Sequence, residues 1–182
     1  MKIIKIVLSL FFLTSFSYSN EMYLLENAKV EFDGKKGEIL IGTPVKLIKD
    51  IDDKISLVEI DGFAIKNQFY SNKSKLLLMA TTNSNSFFVN SDELQAIKIE
   101  AKIEKSYLTS KIKDSWEEHE EFYYDMCSSC HAGHRAVTHT MIEWEAILQT
   151  MKGFAQLDDN EEIYMLRFLK ANAKDGFYKN NK

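Results

Sequence analysis

The 182-residue chain carries 23 basic and 27 acidic residues, a formal charge of −4 at pH 7, with 45% hydrophobic and 27% charged residues. That size suits one or two globular domains, and the acidic balance excludes a basic nucleic-acid footprint. A single proline and seven glycines leave no room for a long low-complexity linker.

At the N-terminus, Lys2 and Lys5 precede the apolar stretch Ile6 to Leu13, and Ser17-Tyr18-Ser19 places small residues at minus three and minus one. The pattern predicts a secretory signal peptide over residues 1–19 and an exported mature chain. The uncharged run, Ile6 to Asn20, is short of the roughly 20 residues that cross a bilayer, so no membrane span is expected after cleavage. Cleavage removes two lysines and no acid, which takes the formal charge from −4 to −6. An acidic exported protein suits a partner with a positive docking patch.

From Tyr23 to Ser110 the texture is that of strands. "AKVEF", "GEILIGTPVKLI", "KISLVEIDGFAI" and "KLLLMATT" are short, aliphatic and separated by turn residues. In "AIKIEAKIEK", Ile97, Ile99, Ala101 and Ile103 alternate with Lys98, Glu100, Lys102 and Glu104, the period of a half-buried strand. Several such strands imply a small barrel or sandwich, and their order resembles a bacterial SH3-like barrel over residues 20–110.

From Asp114 onward the period becomes helical. "DSWEEHEEFYYDM" offers a capping box from Ser115 to Glu118 and runs into Cys127. His119 reads as part of a charged helix face, and Phe122 and Tyr123 as packing toward the C-terminal helix. Trp144, Ile147, Leu148 and Met151 form one apolar stripe, with Gly153 placed to end that helix. Asp158 to Glu161 is a further capping box, followed by the stripe Ile163, Leu166, Leu169 and Ala173 with Phe168 beside it. Three helices over residues 111–182 make a small α-domain, a size that needs a staple or a cofactor.

The two cysteines of the chain both lie in "CSSCH", Cys127 to His131. A disulfide here closes a tiny loop and stabilises little. A thioredoxin-type pair belongs at a helix start in a βαβ unit, whereas this one follows a helix. A zinc site would draw on Cys127, Cys130, His134 and His139, with spacing shorter than zinc fingers use. Covalent haem attachment explains every element: Cys127 and Cys130 as thioether donors to one haem c, and His131 as the proximal iron ligand. Met151 is the favoured distal ligand and His139 the runner-up, while His134 is too close in sequence to reach the opposite face. Met141 and Met165 read as packing residues. Neither a nucleophile–base arrangement nor a glycine-rich phosphate loop points to an enzyme.

Taken together, "GTPVKLI", "LVEIDGF", "IKIEAKIEKSYLT", "FYYDMCSSCH", "EWEAILQTMK" and "LDDNEEIYMLRFLKANAKD" resemble the C-terminal, single-haem portion of the pentahaem cytochromes that feed periplasmic trimethylamine-N-oxide reductases. The resemblance runs from Tyr23 to the C-terminus and implies an α+β protein: an N-terminal SH3-like small β-barrel followed by an all-α class I-like cytochrome c domain. It implies a periplasmic one-electron carrier to a molybdenum N-oxide or S-oxide reductase. Those relatives carry four further C-x-x-C-H sites on a membrane-anchored domain that oxidises quinol. This chain has one site, so a separate membrane quinol-oxidising cytochrome is expected as donor. The alternatives are a general periplasmic carrier serving another acceptor, and a haem-based sensor whose β-barrel is an interaction module.

Overall fold

A computed structural model describes residues 21–83 and 85–178. The expected signal peptide lies outside the described residues. Nine strands come first: β1 (Glu21–Leu24), β2 (Ala28–Phe32), β3 (Lys35–Ile39), β4 (Pro44–Asp50), β5 (Ile55–Ile65), β6 (Gln68–Tyr70), β7 (Leu78–Thr82), β8 (Gln95–Glu104) and β9 (Leu108–Thr109). Three α-helices follow: α1 (Glu117–Cys127), α2 (Met141–Ala155) and α3 (Asp159–Ala171).

The strand order β6-β7-β3-β2-β8-β5 closes on itself because β6 also pairs with β5. All the pairings are antiparallel, and β4, β1 and β9 extend the sheet beyond the ring. β5 makes this possible by dividing one edge between two partners. Its Ser56 to Glu59 pair with β4, and its Phe63 to Ile65 pair with β6. Gly62 sits at the divide, where a Cβ would lie 2.5 Å from the Tyr70 carbonyl oxygen and 2.6 Å from the Met79 methyl. Such close approach needs glycine. The other edge of β5 pairs along its length with β8. As the alternation predicts, Ile99, Ala101 and Ile103 are buried while the intervening lysines and glutamates face water. They meet Phe32, Ile39, Val58, Ile60, Phe69 and Met79 in the barrel core.

The helices do not form a class I-like cytochrome c domain, and the strands do not form a small SH3-like barrel. Among the described residues six strands close the barrel, three more extend it, and three α-helices follow. The helical core of Trp116, Tyr123, Met141, Trp144, Leu148, Met165, Phe168 and Leu169 also takes in Leu77 from the strand region. Period-two alternation reports which residues face inward. It carries no information on which strands pair, and pairing sets the strand number.

Arg167 of α3 joins the two parts. Its guanidinium donates to the carbonyl oxygens of Ile41 and Leu78 and to the Thr43 hydroxyl oxygen. Burial lowers its pKa to about 10, so the group stays charged and relies on these acceptors. Trp116 fills the space over Gly42, whose φ of +70° and contact with the indole ring leave no place for a side chain. Tyr178 closes the same joint, donating its hydroxyl to the Gly42 carbonyl oxygen and accepting the Trp116 indole N–H.

Helix ends depart from expectation twice. The Ser115–Glu118 capping box does not form: a 3-10 turn over Ile112–Ser115 leads into Trp116 as N-cap, with no side-chain cap. Seating the Trp116 ring over Gly42 sets that entry. Gly153 does not end α2, which continues to Ala155 and stops at Gln156 in the left-handed region, φ 55°. The Asp158–Glu161 box does form, and so does a box from Thr140 to Glu143 at the start of α2. In α3, Ile163 is exposed, and Met165 takes its expected place in the core.

Candidate cofactor site

α1 delivers the C-x-x-C-H segment. Cys127 is its last residue, and Ser128 caps it through an N–H bond to the Tyr124 carbonyl oxygen. The Ser129 hydroxyl donates to the Met126 carbonyl oxygen at 3.2 Å, which curls the following turn back on the helix end. Cys127 is thereby half-buried and Cys130 exposed, both as free thiols.

The turn faces the C-terminal half of α2 across a cavity of about 330 Å³, a volume within the roughly 300–1,000 Å³ typical of cofactor pockets. Cys127, Cys130 and His131 border one side; Trp144, Ile147, Leu148, Met151 and Phe154 border the other. Leu169 of α3 and Tyr123 of α1 also contribute. Tyr123 packs edge-on against Trp144 at 6.1 Å, and its hydroxyl donates to the His134 carbonyl oxygen at 2.7 Å, fixing the loop after His131. Phe122 turns instead to Tyr164 of α3.

The chemistry of each donor is set by its surroundings. Burial pushes the Cys127 thiol up, so it is not the stabilised thiolate of a redox nucleophile. Its sulfur lies 3.9 Å from the Met165 thioether. Nδ1 of His131 lies 3.1 Å from the Ala132 carbonyl oxygen. A carbonyl can only accept, so this contact suits a proton on Nδ1 and leaves Nε2 as the ring nitrogen without that contact. The Trp144 indole N–H is committed to the Ala136 carbonyl oxygen at 2.7 Å.

Among the predicted residues, Cys127, Cys130, His131 and Met151 all border this one cavity. His139 does not. Its ring lies 4.8 Å from that of Trp144, with Nε2 buried and without a hydrogen-bond partner. Among the described residues, no three His, Cys, Asp or Glu side chains group as a metal site by themselves, so the zinc arrangement is not assembled. Met141 and Met165 are fully buried packing residues. His119 is not on a solvated face: it is 6% exposed and stacked on Tyr164 at 3.6 Å. Its signal in the sequence is the spacing of Trp116, His119 and Tyr123, an i, i+3, i+7 stripe hidden by the surrounding glutamates. Phe154, 80% exposed at the cavity mouth, was also legible as i+3 from Met151.

A stretch of 83 residues is 29% identical to the cytochrome c-type protein TorC of Escherichia coli (strain K12), covering 46% of this chain and 21% of that protein. The likeness is to a cytochrome c-type protein. The chain thus spans about a fifth of the relative's length. No family model and no solved structure matches. Among the described residues no helix is long and apolar enough to cross a membrane.

The cavity tests the haem reading on its own terms. Two thiols stand three residues apart at one rim with an imidazole beside them, a thioether borders the facing helix, and the walls between are mostly apolar. These residues fit a covalently held haem c.

Proposed function

We propose that this protein is a periplasmic monohaem c-type cytochrome, a one-electron carrier to a molybdenum N-oxide or S-oxide reductase. The observation that carries the reading is the convergence of Cys127, Cys130, His131 and Met151 on one apolar cavity. The segment shared with a cytochrome c-type protein supports it.

Cys127 and Cys130 would hold the haem as thioethers, His131 would offer Nε2 to the iron, and Met151 would be the distal ligand. When bound, the haem supplies a reversible one-electron iron centre. The protein's own part is binding, orientation and solvent control. The Ala132 carbonyl fixes the His131 ring through Nδ1, Tyr123 holds the adjoining loop, and Trp144 and Leu148 keep water from the inner wall. With His131 and Met151 as its ligands, the haem would have a higher reduction potential than with two histidines.

In this reading the protein is an electron carrier, not an enzyme, and its donor is a separate membrane quinol-oxidising cytochrome. The test is reoxidation. The reduced, haem-loaded protein is mixed with a trimethylamine-N-oxide reductase from the same cell, with and without N-oxide. Rapid loss of the reduced spectrum that requires N-oxide is the expected result. A spectrum that stays reduced beside an active reductase would remove that acceptor.

A further inference from the structure

A second cavity, about 580 Å³, opens where the barrel meets the start of α1, bordered by residues 25–27, 41, 114–115, 117–119 and 164. It lies at the far end of α1 from Cys127, about 16 Å along an 11-residue helix. The function proposed above does not use it.

Its lining is unbalanced in charge and in hydrogen bonding. Glu26, Glu117 and Glu118 border it, and no lysine or arginine pairs with them among the described residues. Asp114 is otherwise engaged, accepting from the Thr109 hydroxyl at 2.9 Å. One polar side chain of the wall, on a residue nearly sealed from solvent, lacks a protein partner. His119 is 6% exposed, stacked on Tyr164, and no hydrogen bond reaches its ring among the described residues. Burial, with Arg167 adding to it, lowers the His119 pKa to about 4, so the ring is neutral and one nitrogen can accept.

What fits is a cation that donates several hydrogen bonds and carries an apolar body. An ammonium group has three donors and no acceptor, matching a neutral imidazole and the carboxylates beside it. Leu25, Ile41 and the Tyr164 ring supply the apolar part of the wall. A bare metal ion fits less well, because no three His, Cys, Asp or Glu side chains converge among the described residues. We propose that this cavity binds a protonated primary amine against His119 and Glu118. The amine is either a free small molecule or the tip of a lysine on another protein.

The test is calorimetric titration of the full-length exported protein with n-butylammonium chloride, against potassium chloride at equal ionic strength. A saturable one-to-one heat with the amine alone is expected. Glu118→Gln should weaken it about tenfold, the loss of one charge-assisted hydrogen bond. His119→Phe keeps the stack on Tyr164, removes the acceptor and should also weaken binding. A parallel titration with Nα-acetyl-lysine amide separates the sources. Binding of both compounds assigns a lysine tip, and binding of butylammonium alone assigns a free amine. Absence of a saturable heat, the same heat from potassium chloride, or unchanged affinity in both variants would overturn the proposal. Calorimetry reads binding whatever the haem content, so failure here leaves the haem reading standing.

Discussion

The barrel and the helical part each bury an aromatic and aliphatic core, yet only one of them is complete. In the barrel, β5 and β8 pair along ten residue positions, the ring closes through β6, and Phe69 is fully buried among its neighbours. In the helical part, Trp144 and Leu148 are buried at the base of a cavity, while Met151 and Phe154 at its mouth remain 37% and 80% exposed. Along one helix face the apolar stripe runs from sealed core to open wall. A stripe that continues past its packing partners marks a surface built for something other than the polypeptide.

The sharpest way to break this contrast is a matched pair of truncations. Phe69→Ala and Trp144→Ala should each cost about 3–5 kcal/mol in denaturant unfolding. With the proposed haem in place, only Trp144→Ala should also alter the visible spectrum and lower the fraction of chains to which haem is attached. Equal spectral effects would deny that the two cores differ in role.

Next in size is the joint. Arg167→Met keeps much of the side-chain volume but leaves the Ile41 and Leu78 carbonyl oxygens without their donor. A loss of about 2 kcal/mol is expected. Unfolding followed by tryptophan fluorescence, which sees Trp116 and Trp144, should then precede unfolding followed by far-ultraviolet circular dichroism.

His119 gives the same joint a pH dependence. Its pKa is depressed from 6.5 to about 4 by burial, with Arg167 adding to it. Above pH 6.5 it is neutral folded or unfolded, and its contribution to stability is fully present. As pH falls from 6.5 toward 4, the unfolded chain takes up the proton first, so stability declines. Urea midpoints across that window should show the decline, and His119→Phe should flatten it.

The smallest effect expected is at a cap. Asp158 accepts from the Asn160 and Glu161 N–H groups at the start of α3, and Asp158→Ala should cost about 1 kcal/mol by the same measurement.

The sequence made the strands and the C-x-x-C-H residues legible for different reasons. β8 could be read because charge and hydrophobicity alternate over its whole length, and the structure buries the same side chains. The closure of six strands could not be read, because it depends on β5 serving two partners around Gly62. Cys127, Cys130 and His131 stood out because their spacing is itself the signal. Met151 rested on an apolar stripe, and its place on the cavity wall came only from the packing of α2 against α1 and α3. His119 was misread as solvated because four glutamates surround it in sequence. Helical geometry turns those glutamates outward and the imidazole inward, onto Tyr164. Ser115 was misread as a cap because the Trp116 ring, not the hydroxyl, governs how the chain enters α1.

The central claim is that the cavity exists to hold a haem bound through Cys127 and Cys130. Its most direct test is the intact mass of the protein, made in cells that attach c-type haem and measured after full denaturation. The chain heavier by one haem, and the bare chain when both cysteines are changed to serine, is the predicted result. A wild-type protein that carries only the mass of its polypeptide, with no haem absorbance, would contradict it.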